Sequence, residues 1–125
     1  KEGKVIARAH NEVIKTNDPT AHAEIVAIRK AARRLRSFDL HDCEIFSTCE
    51  PCPMCLAAIH WARIKNLYFC LTRHEAEEAG FDDNYLYELF AGTAKERRLL
   101  VYRVEEETCL EAFTAWKNKS DKILY

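Results

Sequence analysis

The stretch CEIFSTCEPCPMCLAAIHWARIKNLYFCL, Cys43 to Leu71, reads as strand, turn, helix, strand. Its first six residues, Cys43 to Thr48, favour a strand. Pro51 and Pro53 then forbid a ladder or a helix interior, so CEPCP is a tight turn. PMCLAAIHWARI opens at Pro53 and is apolar nearly all round, which predicts a buried helix; NLYFCL, Asn66 to Leu71, is a second buried strand. The turn also carries Cys49, Cys52 and Cys55 at three-residue spacing. That spacing serves two thiolates on one tetrahedral metal, redox exchange, or iron and sulfur, and the rest of the chain has to choose among them.

Upstream, NDPTAHAEIVAIRKAARRLR is a turn feeding a helix. Asp18 and Thr20 are capping types around Pro19, and Ile25, Ile28, Ala32 and Leu35 recur at helical spacing opposite the arginines. His22 and Glu24 fall in its first turn. Lys4 to Ala9 alternates weakly as a strand, and KEGK before it reads as a hairpin turn, so a preceding strand partner is expected. Downstream, TRHEAEEAG and NYLYELFAG are helices closed by Gly80 and Gly92. RLLVYRV, from Arg98, is a strand, LEAFTAWKNK an amphipathic helix, and SDKILY a tail. Strands alternating with helices predict a layered α/β domain, a sheet with helices on both faces.

At 125 residues the chain has the length of one domain, able to bury a core without disulfide staples. The chain is 48% apolar and 31% charged, as soluble globular proteins are, and no apolar run approaches a membrane span. Its 19 basic against 20 acidic residues leave a net charge of −1, which gives no long-range attraction to a nucleic acid. The cluster of Arg29, Lys30, Arg33, Arg34 and Arg36 reads as the solvated face of a helix. Six cysteines without a secretory signal, three of them crowded between Cys49 and Cys55, favour metal over disulfides and a cytoplasmic setting.

Catalytic zinc keeps three protein ligands and leaves its fourth position to water, whose pKa falls from about 15.7 to near 7. His22, Cys52 and Cys55 offer that set. Glu24, two residues beyond His22, is placed to take and return protons. His-x-Glu followed by Pro-Cys-x-x-Cys is the known signature of zinc-dependent deaminases, and HAE and PCPMC supply both halves in order, each at the head of a helix. Cys49, separated from the pair by Glu50 and Pro51, reads as a neighbouring thiol.

The stretches DPTAHAEIVAIRKA and CEPCPMCLAAIHWARI resemble the cytidine-deaminase-like zinc deaminases, within them the bacterial guanine deaminases and tRNA adenosine deaminases. EAGFDDNYLYEL and FTAWKNKSDKILY resemble the guanine deaminase branch. The resemblance implies a three-layer α/β sandwich, a mixed sheet flanked by helices. It also implies one zinc per chain and a homodimer in which a C-terminal segment, about residues 108–125 of this single domain, is swapped between subunits. An N-terminal helix and first strand of that family are missing from the front of this sequence.

Residue by residue, the resemblance makes His22, Cys52 and Cys55 the metal ligands and Glu24 the proton shuttle. Asn11, Trp61, Asp83 and Tyr125 bind the base, Asp83 also assisting proton transfer. The implied reaction is guanine and water to xanthine and ammonia. The alternatives are tRNA adenosine deamination, another small amino-purine or amino-triazine such as guanosine or ammeline, and a non-catalytic zinc module for assembly. The near-neutral charge disfavours tRNA, and a non-catalytic module has no use for Glu24.

Overall fold

Ala23–Leu35 forms the first long helix because its apolar residues fall on one stripe: Ile25 and Val26 are buried, while Ile28, Ala31 and Leu35 pack around Leu40, Cys43 and Ala62. The structure, a computed structural model, describes residues 1–81, 83–96, 98–103 and 108–124. In chain order the elements are α1 (Val13–Thr16), α2 (Ala23–Leu35), β1 (Glu44–Cys49), α3 (Pro53–Trp61), β2 (Asn66–Leu71), α4 (Arg73–Glu78), α5 (Asp83–Ala91) and α6 (Thr108–Asn118). They divide into two compact units, Lys1–Lys95 and Glu96–Tyr125.

In the first unit β1 and β2 pair in parallel, with Glu44 opposite Asn66 and Cys49 opposite Leu71. Parallel neighbours need a crossover, and α3 is that crossover. The stretch Cys43–Leu71 thus folds as strand, turn, helix, strand, and the α/β class holds. Among the described residues the sheet consists of these two strands.

The core consists of two clusters among the described residues. One gathers Ile25, Cys52 and Cys55 with Met54 and Ala58. The other centres on Leu40, which is fully buried and donates its backbone N–H to Ala62.

Several expectations are corrected. The helix expected around Asp18 and Thr20 begins one turn later, at Ala23, with His22 as its N-cap residue. Asp18 instead closes the preceding turn by accepting from the Thr20 amide at 2.8 Å and hydroxyl at 2.6 Å. α3 is buried on one face only, through Cys55 and Ile59, because it packs against α2 on that side. β2 is largely exposed rather than buried: β1 occupies one edge, and Tyr68 stacks on Phe46 at the surface with ring centroids 4.6 Å apart.

Residues 4–9 are irregular and join no ladder; Arg34 and Lys30 of α2 donate to the Ile6 and Arg8 carbonyls. A cavity of about 700 Å³ lies against them, lined by Ile6 together with Ala27, Ile28, Leu40, Ile45 and Ile64. The expected hairpin turn before them is present. Glu2 and Gly3 both have positive φ, and the Lys4 amide donates to the Lys1 carbonyl, as in a two-residue hairpin loop.

α4 starts on a reciprocal cap between Thr72 and Glu75. α1 was not foreseen from the sequence: it is a single turn, preceded by the Asn11 side-chain oxygen accepting from the Val13 amide at 3.0 Å.

In the second unit, residues 98–103 are irregular where a strand was expected, and Val104 lies outside the described residues. α6 forms as expected, with Leu110, Phe113 and Trp116 recurring every third residue along it.

Candidate active site

The site assembles from two helix starts. His22 and Cys52 are the N-cap residues of α2 and α3; both backbones are extended and neither side chain caps its own helix. Each is therefore free to face elsewhere, while its carbonyl accepts the first helical bond, from Val26 and Leu56 respectively. Cys55 follows one turn into α3 and is 1% exposed.

These three side chains converge, with one ligand atom from each lying within 4.8 Å of the others. The His22 Nδ1 to Cys52 Sγ distance is 3.6 Å. A nitrogen and a sulfur bound to one tetrahedral zinc, at about 2.0–2.1 and 2.3 Å, stand about 3.6 Å apart. The donor set is that of zinc.

The charges agree. A hydrogen bond from Cys55 holds the Cys52 thiol below its usual range, with His22 assisting. The same shared bond, then burial and the Glu24 carboxylate, push Cys55 well above it. The pair gives up one proton readily and the second only when a cation compensates, which is what a metal does in this position.

Glu24 lies in the first turn of α2 beside His22. Its Oε1 accepts a hydrogen bond from the Ser47 hydroxyl at 2.6 Å, and its charge acts on the Cys55 thiol. Asp83, the first residue of α5, stands close enough for its charge to act on both Cys52 and Tyr87. Asn11 sits beside the His22 loop, since the next residue, Glu12, donates its amide to Ala21. Its side-chain oxygen accepts from the Val13 amide. Trp61 ends α3 and is 67% exposed. Tyr125 lies outside the described residues. The Cys49 thiol, half-buried on β1, is not part of the converging group.

Two features escaped the sequence reading. Ser47 is one; the signal was present in the two-residue alternation of β1, which places a hydroxyl between Ile45 and Cys49 on the inward face. The other is a polar clamp on the cysteine turn. Glu50 accepts from the Arg73 amide at 2.9 Å and faces its guanidinium, Arg73 lies over the Tyr87 ring at 4.6 Å, and the Tyr87 hydroxyl donates to the Pro51 carbonyl at 2.6 Å. No spacing rule connects residues that far apart in the chain.

Residues 1–71 match the family described as the cytidine and deoxycytidylate deaminase zinc-binding region, and the chain belongs to that family of zinc-dependent deaminases. Over its whole length it is 46% identical to guanine deaminase of Bacillus subtilis (strain 168), spanning 80% of that protein. The X-ray structure of Bacillus subtilis guanine deaminase matches all of this chain with a TM-score of 0.92, over 80% of that chain at 46% identity. A tRNA-specific adenosine deaminase of Aquifex aeolicus (strain VF5) is 49% identical over 69 residues, which are 55% of this chain and 46% of the relative.

Proposed function

We propose that this protein hydrolyses guanine to xanthine and ammonia. The observation that carries this reading is the identity held over the whole chain. It is 46% over all 125 residues to a guanine deaminase, whereas a tRNA-specific adenosine deaminase that matches 117 residues does so at 32%.

In this reading His22, Cys52 and Cys55 hold one zinc ion. When bound, zinc acidifies water so that hydroxide is available at neutral pH. Glu24 takes the proton released as oxygen bonds to C2 of the base and delivers it to the adjacent ring nitrogen. It then carries the remaining hydroxyl proton to the exocyclic amine, which leaves as ammonia. The amide of Asn11 and the carboxylate of Asp83 hold the purine edge, an assignment suited to a base that presents both donors and acceptors. Asp83 also assists the proton transfer. Trp61 forms part of the pocket wall.

The reading extends to assembly. Residues 1–125 act as one catalytic domain, and the segment from about 108 to 125 crosses to a second copy, bringing Tyr125 to the partner's pocket. The largely exposed Leu110 and Phe113 on α6, with Ile123 and Leu124 beyond it, support such an exchange, since they are apolar groups left in water within one chain. A cytoplasmic setting keeps the ligand thiols reduced.

Ammonia release from guanine, guanosine, adenine, ammeline and a tRNA anticodon hairpin tests the substrate directly. Guanine is expected to be turned over fastest by a wide margin. Deamination of the hairpin in preference to guanine overturns the reading, and zinc binding without ammonia from any substrate reduces the protein to an assembly module.

A further inference from the structure

We propose that Ser47 is a positioning residue for the Glu24 carboxylate. It holds one oxygen so that the other is kept turned toward the metal ligands and the reacting base. The inference rests on the proposed function, in which Glu24 moves the protons.

Ser47 stands at the middle of β1, on the face that turns toward α2. Its neighbours on that face are Ile45, which is buried, and Cys49. A hydroxyl here has to find a partner or remain unsatisfied in a half-buried place. It finds Glu24 Oε1 at 2.6 Å, across 23 positions of sequence. That distance is typical of a charge-assisted hydrogen bond from a hydroxyl to a carboxylate.

The carboxylate is thus anchored at one oxygen by the Ser47 hydroxyl on β1. A glutamate side chain has a broad, nearly free terminal torsion. With Oε1 tied, that torsion is fixed, and a single oxygen remains to collect and deliver each proton. Proton transfer is sensitive to this, because donor and acceptor have to come within hydrogen-bond reach in a set direction. Ser47 touches neither substrate nor metal in this scheme; it acts through Glu24.

The test uses the full zinc-loaded chain with Ser47→Ala and Ser47→Thr. For Ser47→Ala, kcat on guanine is expected to fall about tenfold or more, the scale seen when a group orienting a metal-site residue is removed. KM should stay within about twofold, and zinc should remain at the parent's content. Ser47→Thr, which keeps the hydroxyl, should recover most of the lost rate. A crystal structure of zinc-loaded Ser47→Ala should show the Glu24 carboxylate rotated or spread over more than one orientation.

An unchanged kcat, an unchanged carboxylate orientation, or a loss of zinc that accounts for the lost rate overturns the proposal. If the parent protein itself releases no ammonia from guanine, the substrate reading fails. The carboxylate orientation in Ser47→Ala then still decides the role of Ser47.

Discussion

The helices α2 and α3 both begin on a metal-facing residue, His22 and Cys52, but what holds each start in place differs. The α2 start is secured locally. Asp18 closes the turn before it onto Thr20, Ala21 donates back to Asp18, and the Glu12 amide pins the Ala21 carbonyl. The α3 start is secured from a distance, by Glu50, Arg73 and Tyr87 reaching across from β1's end, α4 and α5. One half of the site is therefore built by its own neighbourhood in the chain, and the other waits for the tertiary fold. In the proposed mechanism the halves also divide the chemistry: α2 brings the proton carrier along with its ligand, while α3 brings ligands alone.

That last division gives the largest expected effect. Glu24→Gln should lose activity on the order of 10³-fold while keeping the parent's zinc content, checked by steady-state kinetics beside elemental analysis. Substantial residual turnover would erase the chemical difference between the halves.

Next comes the remote clamp. Glu50→Ala removes both the Arg73 amide bond and the facing carboxylate, and zinc affinity should fall about tenfold to a hundredfold in competition with a chromogenic chelator. Full affinity would mean that the α3 start stands without its distant partners.

The local turn should matter less. Asp18→Ala should lower the melting temperature slightly and leave zinc affinity close to that of the parent. The hydroxyl and amide of Thr20 hold the Asp18 carboxyl below the usual carboxylate range. A lowered folded-state pKa stabilises above the unfolded value, about 3.9, and the contribution fades as pH falls through the lowered one. Melting curves of Asp18→Asn should accordingly show a weaker loss of stability in acid than those of the parent.

The smallest effect is expected at Cys49, which belongs to the triplet in sequence and not to the cluster in space. Cys49→Ser should bind zinc at the parent's level, and loss of the metal would redraw the α3 half of the site.

How much of this was legible in the sequence follows the same contrast. α2, β1, α3 and β2 announce themselves through periodicity and proline, and HAE with PCPMC marks the ligands before any fold is known. Residues 4–9 and 98–103 have strand-like composition, but a strand exists only beside a ladder partner. Neither segment pairs with a strand among the described residues. The burial predicted for β2 failed for a related reason, because apolar composition states what a strand can cover and not what covers it. α1 is one turn held by Asn11 and Thr16 side chains, too short for any apolar repeat to reveal. Ser47 and the Glu50, Arg73 and Tyr87 clamp are contacts between segments, and spacing rules are silent about those.

The uncapped starts of α2 and α3 carry a consequence for durability. A helix N-cap ordinarily stabilises through its own side chain by about 1 kcal/mol, and here neither side chain does so, both converging instead with Cys55. Replacing His22 with aspartate, a strong capping residue, should make the metal-free protein harder to melt and useless as a catalyst. The fold is thus held below the heat resistance that its own backbone would allow, and the shortfall sits at the two residues that meet in the site.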